Sequence, residues 1–393
     1  MNRNLWLLTA AQSLFLINNA VFIAINGLVG LSIAPLGWMA TLPVMGYVVG
    51  GAMSTSLVSK TQSTWGRKWA CQSGLVIALL SALLCAWAVA EHQFWLLVAG
   101  TVVAGYYNAN AQLYRFAAAE LAAPGFKEKA VSLVLAGGIA GGIAGPTMAA
   151  YTRNWTETPF VGAYLTLALV AVVGMLFIAL IEFPVTPKRA SGSSQGRALS
   201  VIMRQPIFIV ATLTAALSDG VMNLLMAAPP LAMQTCGLAF SSTALVLEWH
   251  IIGMFAPGFF TGHLIKRFGA LRIMGVGVLL NLICVGVALS GTDLSQFLVA
   301  LFTLGVGWNF VFTGSTTLSL QAYEPEEKDR AQAAINFFVF ATMAVTSFAS
   351  GALVTTQGWT LLNLGSIPAI VVMGGALLWL ARHPARKPGP QSV

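Results

Sequence analysis

Four side chains with metal-binding atoms recur at helical spacing in the middle of the sequence. Met222 and Met226 are four residues apart, and so are His250 and Met254. Four residues is about one helical turn, so each pair would lie on one face of its helix. Thioethers are soft ligands that suit Cu(I), and imidazole also binds copper. The spacing therefore predicts a copper site shared by two consecutive helices.

Each part of this pattern also has a purely structural explanation. A methionine in an apolar helix is commonly a flexible packing residue, and a Met pair alone has little specificity. His250 is more informative, because ionisable side chains inside long apolar runs are rare and tend to be functional. Met233 and Cys236 continue the stripe beyond Met226, and we predict them as a path by which metal reaches the site.

The elements that must position these residues are membrane-spanning helices. Only 8% of the 393 residues are charged, and the mean hydropathy is +0.80. Apolar runs of the roughly 20 residues needed to cross a bilayer recur from end to end. We predict an all-α membrane protein with twelve transmembrane helices, at about 5–30, 35–58, 69–90, 94–117, 130–152, 160–183, 206–234, 242–264, 270–290, 296–320, 332–354 and 359–381.

The net charge of +8 indicates topology rather than nucleic-acid binding. All Lys and Arg residues except Arg153 fall at alternate ends of the predicted spans. Basic residues concentrate in the cytoplasmic loops of membrane proteins. Both termini and the basic loops are therefore expected in the cytoplasm.

The longest polar segment, Pro184–Gln205, divides the chain into two sets of six spans. Its Ser and Gly residues with basic flanks are typical of a flexible linker. The predicted organisation is an N-terminal six-helix bundle over 1–183, a cytoplasmic linker over 184–205, and a C-terminal six-helix bundle with a short cytoplasmic tail over 206–393.

The two halves repeat each other in sequence. Gly66 after span 2 matches Gly269 after span 8, and Gly105 in span 4 matches Gly307 in span 10, at an offset of about 200 residues. A further basic–acidic–basic pattern at residues 127–129 returns at 328–330. Repeats at one constant offset indicate a duplicated half.

The loops after spans 2 and 8 resemble a signature of the major facilitator superfamily, Gly-x-x-x-Asp-Arg-x-Gly-Arg-Arg. Residues 66–68 read Gly-Arg-Lys and residues 266–269 read Lys-Arg-Phe-Gly. The chain departs at the acidic position, which is Ser63 in the first copy and Lys266 in the second. The resemblance covers the whole chain and implies two pseudo-symmetric six-helix bundles that rock about a central site. It also implies that spans 1, 4, 7 and 10 line the cavity.

Polar residues are concentrated on those four spans. Polar groups in hydrocarbon cost several kcal/mol unless they are partnered, so this distribution indicates a shared polar interior. The competing explanation is hydrogen bonding between helices. The predicted cavity residues are Asn18, Asn19, Asn108, Asn110, Asn223 and Asn309.

Asp219 lies three residues before Met222 and seven before Met226, on the same helix face. A carboxyl group in an apolar cavity can take up a proton and release it when a cation arrives. We therefore predict Asp219 as the residue that couples proton movement to transport. The alternative is a helix-to-helix hydrogen bond with a cavity asparagine.

The Met-x-x-x-Met motif, followed on the next span by His-x-x-x-Met, resembles the CcoA-like copper transporter family of the same superfamily. The resemblance implies import of copper across the bacterial inner membrane by alternating access, to supply assembly of cbb-type cytochrome oxidase. Copper would be the transported substrate, bound by Met222, Met226, His250 and Met254, and no prosthetic group is expected. The expected partners are the lipid bilayer and a downstream cytoplasmic copper chaperone or exporter, with no nucleic acid, and the chain is expected to be a monomer.

The same family contains riboflavin transporters, so an organic solute such as riboflavin is the alternative substrate. Its flat ring would stack on Trp308, Tyr106 or Tyr107. A third hypothesis is a non-transporting scaffold for oxidase assembly. The polar cavity and the absence of any extramembrane domain argue against a scaffold. We expect no enzyme, because no Ser/His/Asp, Cys/His or paired-carboxylate grouping occurs. The sequence also has no nucleotide-binding loop, so a gradient rather than ATP is expected to drive transport.

Overall fold

The computed structural model describes residues 3–112, 114–122, 127–183, 196–324 and 327–382. Every regular element within those ranges is a helix. Helices are expected here, because a chain in hydrocarbon must satisfy its backbone hydrogen bonds within each span. Residues 184–195 of the predicted linker lie outside the described ranges, and the domain boundary drawn there stays a prediction.

The N-terminal half contains predicted spans 1 to 6. Spans 2 and 3 form one helical run, which is bent at Gly66. Span 4 is shorter than predicted and is followed by a separate short helix. The helices are α1 (Arg3–Ile33), α2 (Leu42–Ala90), α3 (Phe94–Ala111), α4 (Tyr114–Leu121), α5 (Lys127–Thr152) and α6 (Val161–Ala179), with a 3-10 turn at Gly37–Met39.

The C-terminal half contains predicted spans 7 to 12. Spans 7 and 8 are each divided into two helices, with Pro229 and Pro257 at the breaks. Proline has no backbone N–H and its ring clashes with the preceding turn, so a helix bends or restarts there. The helices are α7 (Leu199–Met203), α8 (Pro206–Ala227), α9 (Pro229–Thr235), α10 (Phe240–Phe255), α11 (Gly258–Phe268), α12 (Ala270–Ser290), α13 (Leu294–Ser319), α14 (Lys328–Thr356) and α15 (Gly358–Arg382).

Ten helical segments in the described ranges are long and apolar enough to cross a membrane. The helices α3 and α5 stand at the positions of the fourth and fifth predicted spans. With these two included, the architecture is the predicted all-α, twelve-span membrane protein.

The two halves pack in equivalent ways. Helix α1 packs on α5 in the N-terminal half, and α8 packs on α14 in the same way in the C-terminal half. The long helix α2 packs on α3 and on α6. The corresponding contacts in the C-terminal half are those of α10 with α13 and of α12 with α15. The repeated glycines have the same backbone conformation, since φ is 82° at Gly66 and 87° at Gly269. Only glycine adopts such angles without strain, which explains why the residue recurs in both copies.

The halves contact each other at the end of the bundle away from the linker, which we call the far end; the opposite end is the linker end. Thr41, which immediately precedes α2, donates to the Ser347 carbonyl at 2.8 Å and accepts from the Gly351 N–H at 3.1 Å. Phe160 of the N-terminal half packs edge-on against Phe240 of the C-terminal half, with ring centroids 5.3 Å apart. One apolar cluster at this end includes residues from both halves. The two bundles are therefore closed against each other at the far end.

Candidate functional site

Asp219 on α8 and Trp308 on α13 form a polar contact inside the C-terminal half. The indole Nε1–H of Trp308 donates to Asp219 Oδ1 at 3.2 Å. Asp219 is buried, and its Oδ2 has no hydrogen-bond partner within the described part of the chain. Buried polar atoms are nearly always paired in proteins. An unpaired carboxyl oxygen inside a membrane protein therefore marks a candidate site.

Trp308 also belongs to an aromatic surface. Its ring is stacked on Phe312, with centroids 4.8 Å apart and planes at 14°, and Phe255 meets it at 6.5 Å and 70°. All three side chains are only half-buried, so part of each ring remains accessible. Offset stacking on such a surface favours a planar aromatic ligand.

Hydrogen bonds from α14 hold the Asp219 helix in place. Asn223, one turn after Asp219, donates to the Met343 carbonyl at 3.0 Å, to Thr346 Oγ1 at 3.2 Å and to Ser347 Oγ at 2.7 Å. A side chain with this many fixed partners positions its helix rather than facing a cavity. The prediction of Asn223 as a cavity residue is therefore better replaced by a packing role.

The helix that carries Trp308 is anchored in a similar way. Asn309, its neighbour in the chain, donates to the Met254 carbonyl at 2.7 Å and accepts from Thr261 Oγ1 at 2.7 Å. Both partners lie in predicted span 8. Asn309 thus joins α13 to α10 and α11.

The other predicted cavity asparagines have three different surroundings. Asn110 is fully buried and donates to the Ala70 carbonyl at 2.7 Å, so it joins α3 to α2 inside the N-terminal half. Asn18 is buried on α1, and its Oδ1 has no partner among the described residues. Asn19 and Asn108 are half-buried. The Oδ1 of Asn110 likewise has no partner in the described ranges, so Asn18, Asn19, Asn108 and Asn110 all stay predicted cavity residues.

His250 is fully buried on α10, and its Nδ1 lies 2.7 Å from the Leu301 carbonyl of α13. A carbonyl only accepts, so Nδ1 carries the proton and Nε2 is the acceptor nitrogen. Nε2 has no partner in the described ranges. Metal-binding histidines commonly donate their other ring N–H to a carbonyl in this way, although a packed histidine can do the same.

The other predicted copper ligands lie on helices that share α13 as a neighbour. Met222 and Met226 are buried on α8, and Met254 is half-buried on α10. Helix α8 packs mainly on α13, α14 and α15, whereas α10 packs mainly on α13 and α5. All three methionines contribute to one apolar cluster. That the four ligands surround one ion stays a prediction.

The predicted metal path runs along the end of span 7. Met233 is buried on α9, and Cys236 is exposed just beyond that helix, at the far end. Within the described residues, no three His, Cys, Asp or Glu side chains group together as a metal site. The path also stays a prediction.

Two of the three aromatic side chains predicted to stack on an organic ring are otherwise engaged. Tyr107 is buried and packs edge-on against Phe15, with centroids 5.6 Å apart. The Tyr106 hydroxyl lies 3.1 Å from Ser73 Oγ, in the N-terminal half. Trp308 is therefore the member of this set whose half-buried ring lies beside a carboxylate, through its hydrogen bond to Asp219.

Sequence reasoning missed Phe255 and Phe312 as parts of the site. A phenylalanine in an apolar span carries no distinguishing signal by itself. Phe312 follows Trp308 by four residues, and this aromatic pair on one helix face was the available indication. Glu248 was also missed: it accepts a hydrogen bond from Thr147 of α5, and so links the two halves within the membrane.

Comparisons with known proteins agree with this architecture. The Major Facilitator Superfamily profile matches residues 5–255 and 211–393. The riboflavin transporter RfnT of Brucella anthropi is 33% identical over 373 residues, which cover 94% of both chains. A bacterial homologue of the human lysosomal transporter Spinster, in an inward-facing and unoccupied conformation, has a TM-score of 0.74 at 15% identity and covers 96% of both chains. The nucleoside transporter NupG has a TM-score of 0.74 at 12% identity, covering 96% of this chain and all of that one.

The two solved structures are similar in fold alone, whereas the profile and RfnT align along nearly the whole sequence. The narrower resemblance to the CcoA-like copper transporters gains no support from these relatives. The multi-pass helical architecture, the duplicated halves and the profile lead to one assignment: this chain belongs to the Major Facilitator Superfamily of membrane transporters.

Proposed function

We propose that this chain is a secondary transporter that carries a flat heteroaromatic solute such as riboflavin across the bacterial inner membrane. Its relative RfnT, which aligns with 94% of the chain, is named as a riboflavin transporter. This relative supports the alternative substrate better than copper, and the order of the two substrates is therefore reversed from that inferred from the Met and His motifs.

The contact between Asp219 and Trp308 carries the proposal. A planar ring would lie against the accessible part of Trp308, which Phe312 holds from the stacked side. Ligand N–H or O–H groups would donate to Asp219 Oδ2, which has no donor among the described residues. A stacked pair contributes about 0.5–1.5 kcal/mol, and a hydrogen bond to a charged group about 1.5–3 kcal/mol. Together these contacts select a ring that carries hydrogen-bond donors.

Transport would proceed by rocking of one bundle on the other. In this conformation the halves meet at the far end, through Thr41 with Ser347 and through Phe160 with Phe240. Those contacts must separate before solute enters from that side. The distribution of basic loops supports a cytoplasmic location for the linker end and both termini. The far end is then the periplasmic side, and the conformation is closed to the periplasm.

Copper is the second candidate substrate, and His250 favours it. Its Nε2 is a buried acceptor without a described partner, and Met222 and Met226 lie in the same apolar cluster that Met254 contacts. Under this alternative, copper would be delivered to the cytoplasm for oxidase assembly. Met226→Leu removes a sulfur but keeps volume and apolarity, so it should abolish copper accumulation while folding survives. Met148→Leu, outside the motif, is the matched control.

The test of the leading proposal is riboflavin binding to the purified protein, followed by quenching of riboflavin fluorescence. Trp308→Leu removes both the ring and the indole N–H, and should weaken binding at this site roughly tenfold or more. Trp95→Leu is the control, because Trp95 is 61% exposed on α3, in the N-terminal half, whereas Asp219 lies in the C-terminal half. Equal affinity in the Trp308 and Trp95 variants would remove Trp308 from the site.

A further inference from the structure

A cavity of about 320 Å³ opens at the far end, between the two halves. It is separate from the site around Trp308, because its wall is built from the far ends of α1, α9 and α10 and from the loops after α2 and α5. Its lining combines apolar side chains such as Leu28 and Leu238 with polar ones, which include Arg153, Gln234 and Thr158. A cavity lined by apolar side chains and by hydrogen-bond donors suits an amphipathic solute.

Arg153 is the principal charged group of this cavity. Its guanidinium carbon lies 5.0 Å from the ring centre of Phe160 and 5.7 Å from that of Phe240. Its Nε is buried without a hydrogen-bond partner, and no ion pair to Arg153 occurs among the described residues. The two rings therefore hold the face of the guanidinium, while its N–H edge is left without an acceptor.

The charge of the cavity wall selects the chemistry of the ligand. Arg153 and His92 are the ionisable side chains that line it, and no acidic side chain of the described ranges does so. Arg153 is also the one basic residue that departs from the alternation of charges along the sequence. A planar guanidinium presents its donors as a fork that matches paired acceptor oxygens. The matching ligand edge carries carbonyl or anionic oxygens.

We propose that this cavity is an outer binding site for a planar heteroaromatic solute with a carbonyl-bearing edge. The Arg153 N–H groups bond that edge, and the apolar side chains of the lining contact the ring. The inference rests on the proposed function, because it assigns this solute class to a second, earlier site on the same route. Phe160 and Phe240 come from opposite halves, so the site is complete in the state closed at the far end. A solute can therefore bind in this cavity while the site at Trp308 faces the linker end.

The experiment measures how many riboflavin molecules bind to the full-length protein in lipid nanodiscs, and with what affinity. Wild type should bind two. Arg153→Gln should weaken one of the two by tenfold or more, because it removes a charge-assisted donor pair. Trp308→Leu should weaken only the other. Arg153→Lys keeps the positive charge but loses the forked pair of donors, so its riboflavin affinity at this site should lie between those of wild type and Arg153→Gln.

Several outcomes separate this inference from the proposed function. A single riboflavin site that Arg153→Gln leaves unchanged would overturn the inference, and Arg153 would then serve only to hold Phe160 and Phe240 together. One site lost equally in the Arg153 and Trp308 variants would overturn it too. If riboflavin binding depends on Arg153 but the wild-type protein transports no riboflavin, the outer site is supported and riboflavin transport is refuted. Thermal midpoints of Arg153→Gln and Arg153→Lys equal to that of wild type would exclude misfolding as the cause of any loss.

Discussion

Gly351→Ala tests the contact that closes the far end. Gly351 lies on α14 directly against Thr41, whose hydroxyl accepts from the Gly351 N–H at 3.1 Å and donates to the Ser347 carbonyl at 2.8 Å. A methyl group on residue 351 would overlap the Thr41 hydroxyl and come within 2.6 Å of Thr41 Cγ2 and 2.7 Å of its Cβ. Thr41 is completely buried and held by both hydrogen bonds, so it has no room to move away.

The size of the effect follows from this overlap. Inserting a methyl group into a packed interface costs typically about 1–3 kcal/mol. The clash exists only while the halves are closed at the far end, so it raises the free energy of the closed state alone. A bias of about 1–3 kcal/mol shifts a two-state equilibrium by roughly 5- to 150-fold. Gly351→Ala should therefore populate the state that is open at the far end.

Distances between two spin labels at the far end measure that population. Cys236 is exposed, while Cys71, Cys85 and Cys284 are buried, so Cys236 labels selectively in the C-terminal half. Glu157→Cys supplies the partner label, because Glu157 is exposed in the N-terminal half. The variant should gain a longer-distance population relative to wild type.

The controls isolate the clash. Gly286→Ala adds the same methyl group on α12, where no atom of the described residues lies within 4 Å, and should leave the distances unchanged. Thr41→Ala combined with Gly351→Ala removes the two nearest atoms and should recover part of the closed population. Identical distance distributions for wild type, Gly351→Ala and Gly286→Ala would refute the reasoning that Thr41 and Gly351 close the far end.

Two further predictions concern acidic residues. Asp219→Asn keeps an acceptor for the Trp308 N–H but takes up no proton, so uptake should lose its dependence on a pH gradient across proteoliposomes; an undiminished dependence would leave Asp219 a structural residue. Glu327, at the linker end, accepts from Arg197 Nη2 at 2.7 Å, and this hydrogen bond lowers the pKa of the Glu327 carboxyl to about 2. A lowered folded-state pKa stabilises the protein above the ordinary value of 4.5 and loses that contribution as pH falls toward 2. Glu327→Gln should therefore lower the thermal midpoint at pH 7 and lose much of that difference at pH 3, whereas a difference independent of pH would contradict the ion pair.

The architecture was largely predictable from sequence because a bilayer limits the alternatives. Long apolar runs must be helices, and the paired glycines at 66 and 269 indicate the duplication through their spacing alone. The break in span 7 lies at Pro229, whose effect on a helix is local. These features depend on short stretches of chain, where sequence and structure are closely connected.

The site was less predictable because it depends on which helices become neighbours. Met226 and His250 are close in sequence order, yet their helices both pack on α13 rather than on each other. Asn223 and Asn309 have the composition of cavity residues, but their side chains bind neighbouring helices. The approach of Trp308 to Asp219 requires two helices separated by 89 positions in the chain. A sequence does not specify that proximity without the packing.

Uptake by proteoliposomes decides between the two candidate substrates. Riboflavin and copper are offered separately to vesicles that contain wild-type protein or the Trp308→Leu variant, and initial rates are measured over a range of concentrations. Riboflavin transport through the Trp308 site predicts saturable riboflavin uptake by wild type, a KM roughly tenfold higher in the variant, and no copper uptake above that of empty vesicles. If the vesicles take up copper but no riboflavin, and Trp308→Leu leaves the copper uptake unchanged, the proposed function is contradicted. Copper, bound at the metal site around His250, would then be the favoured substrate.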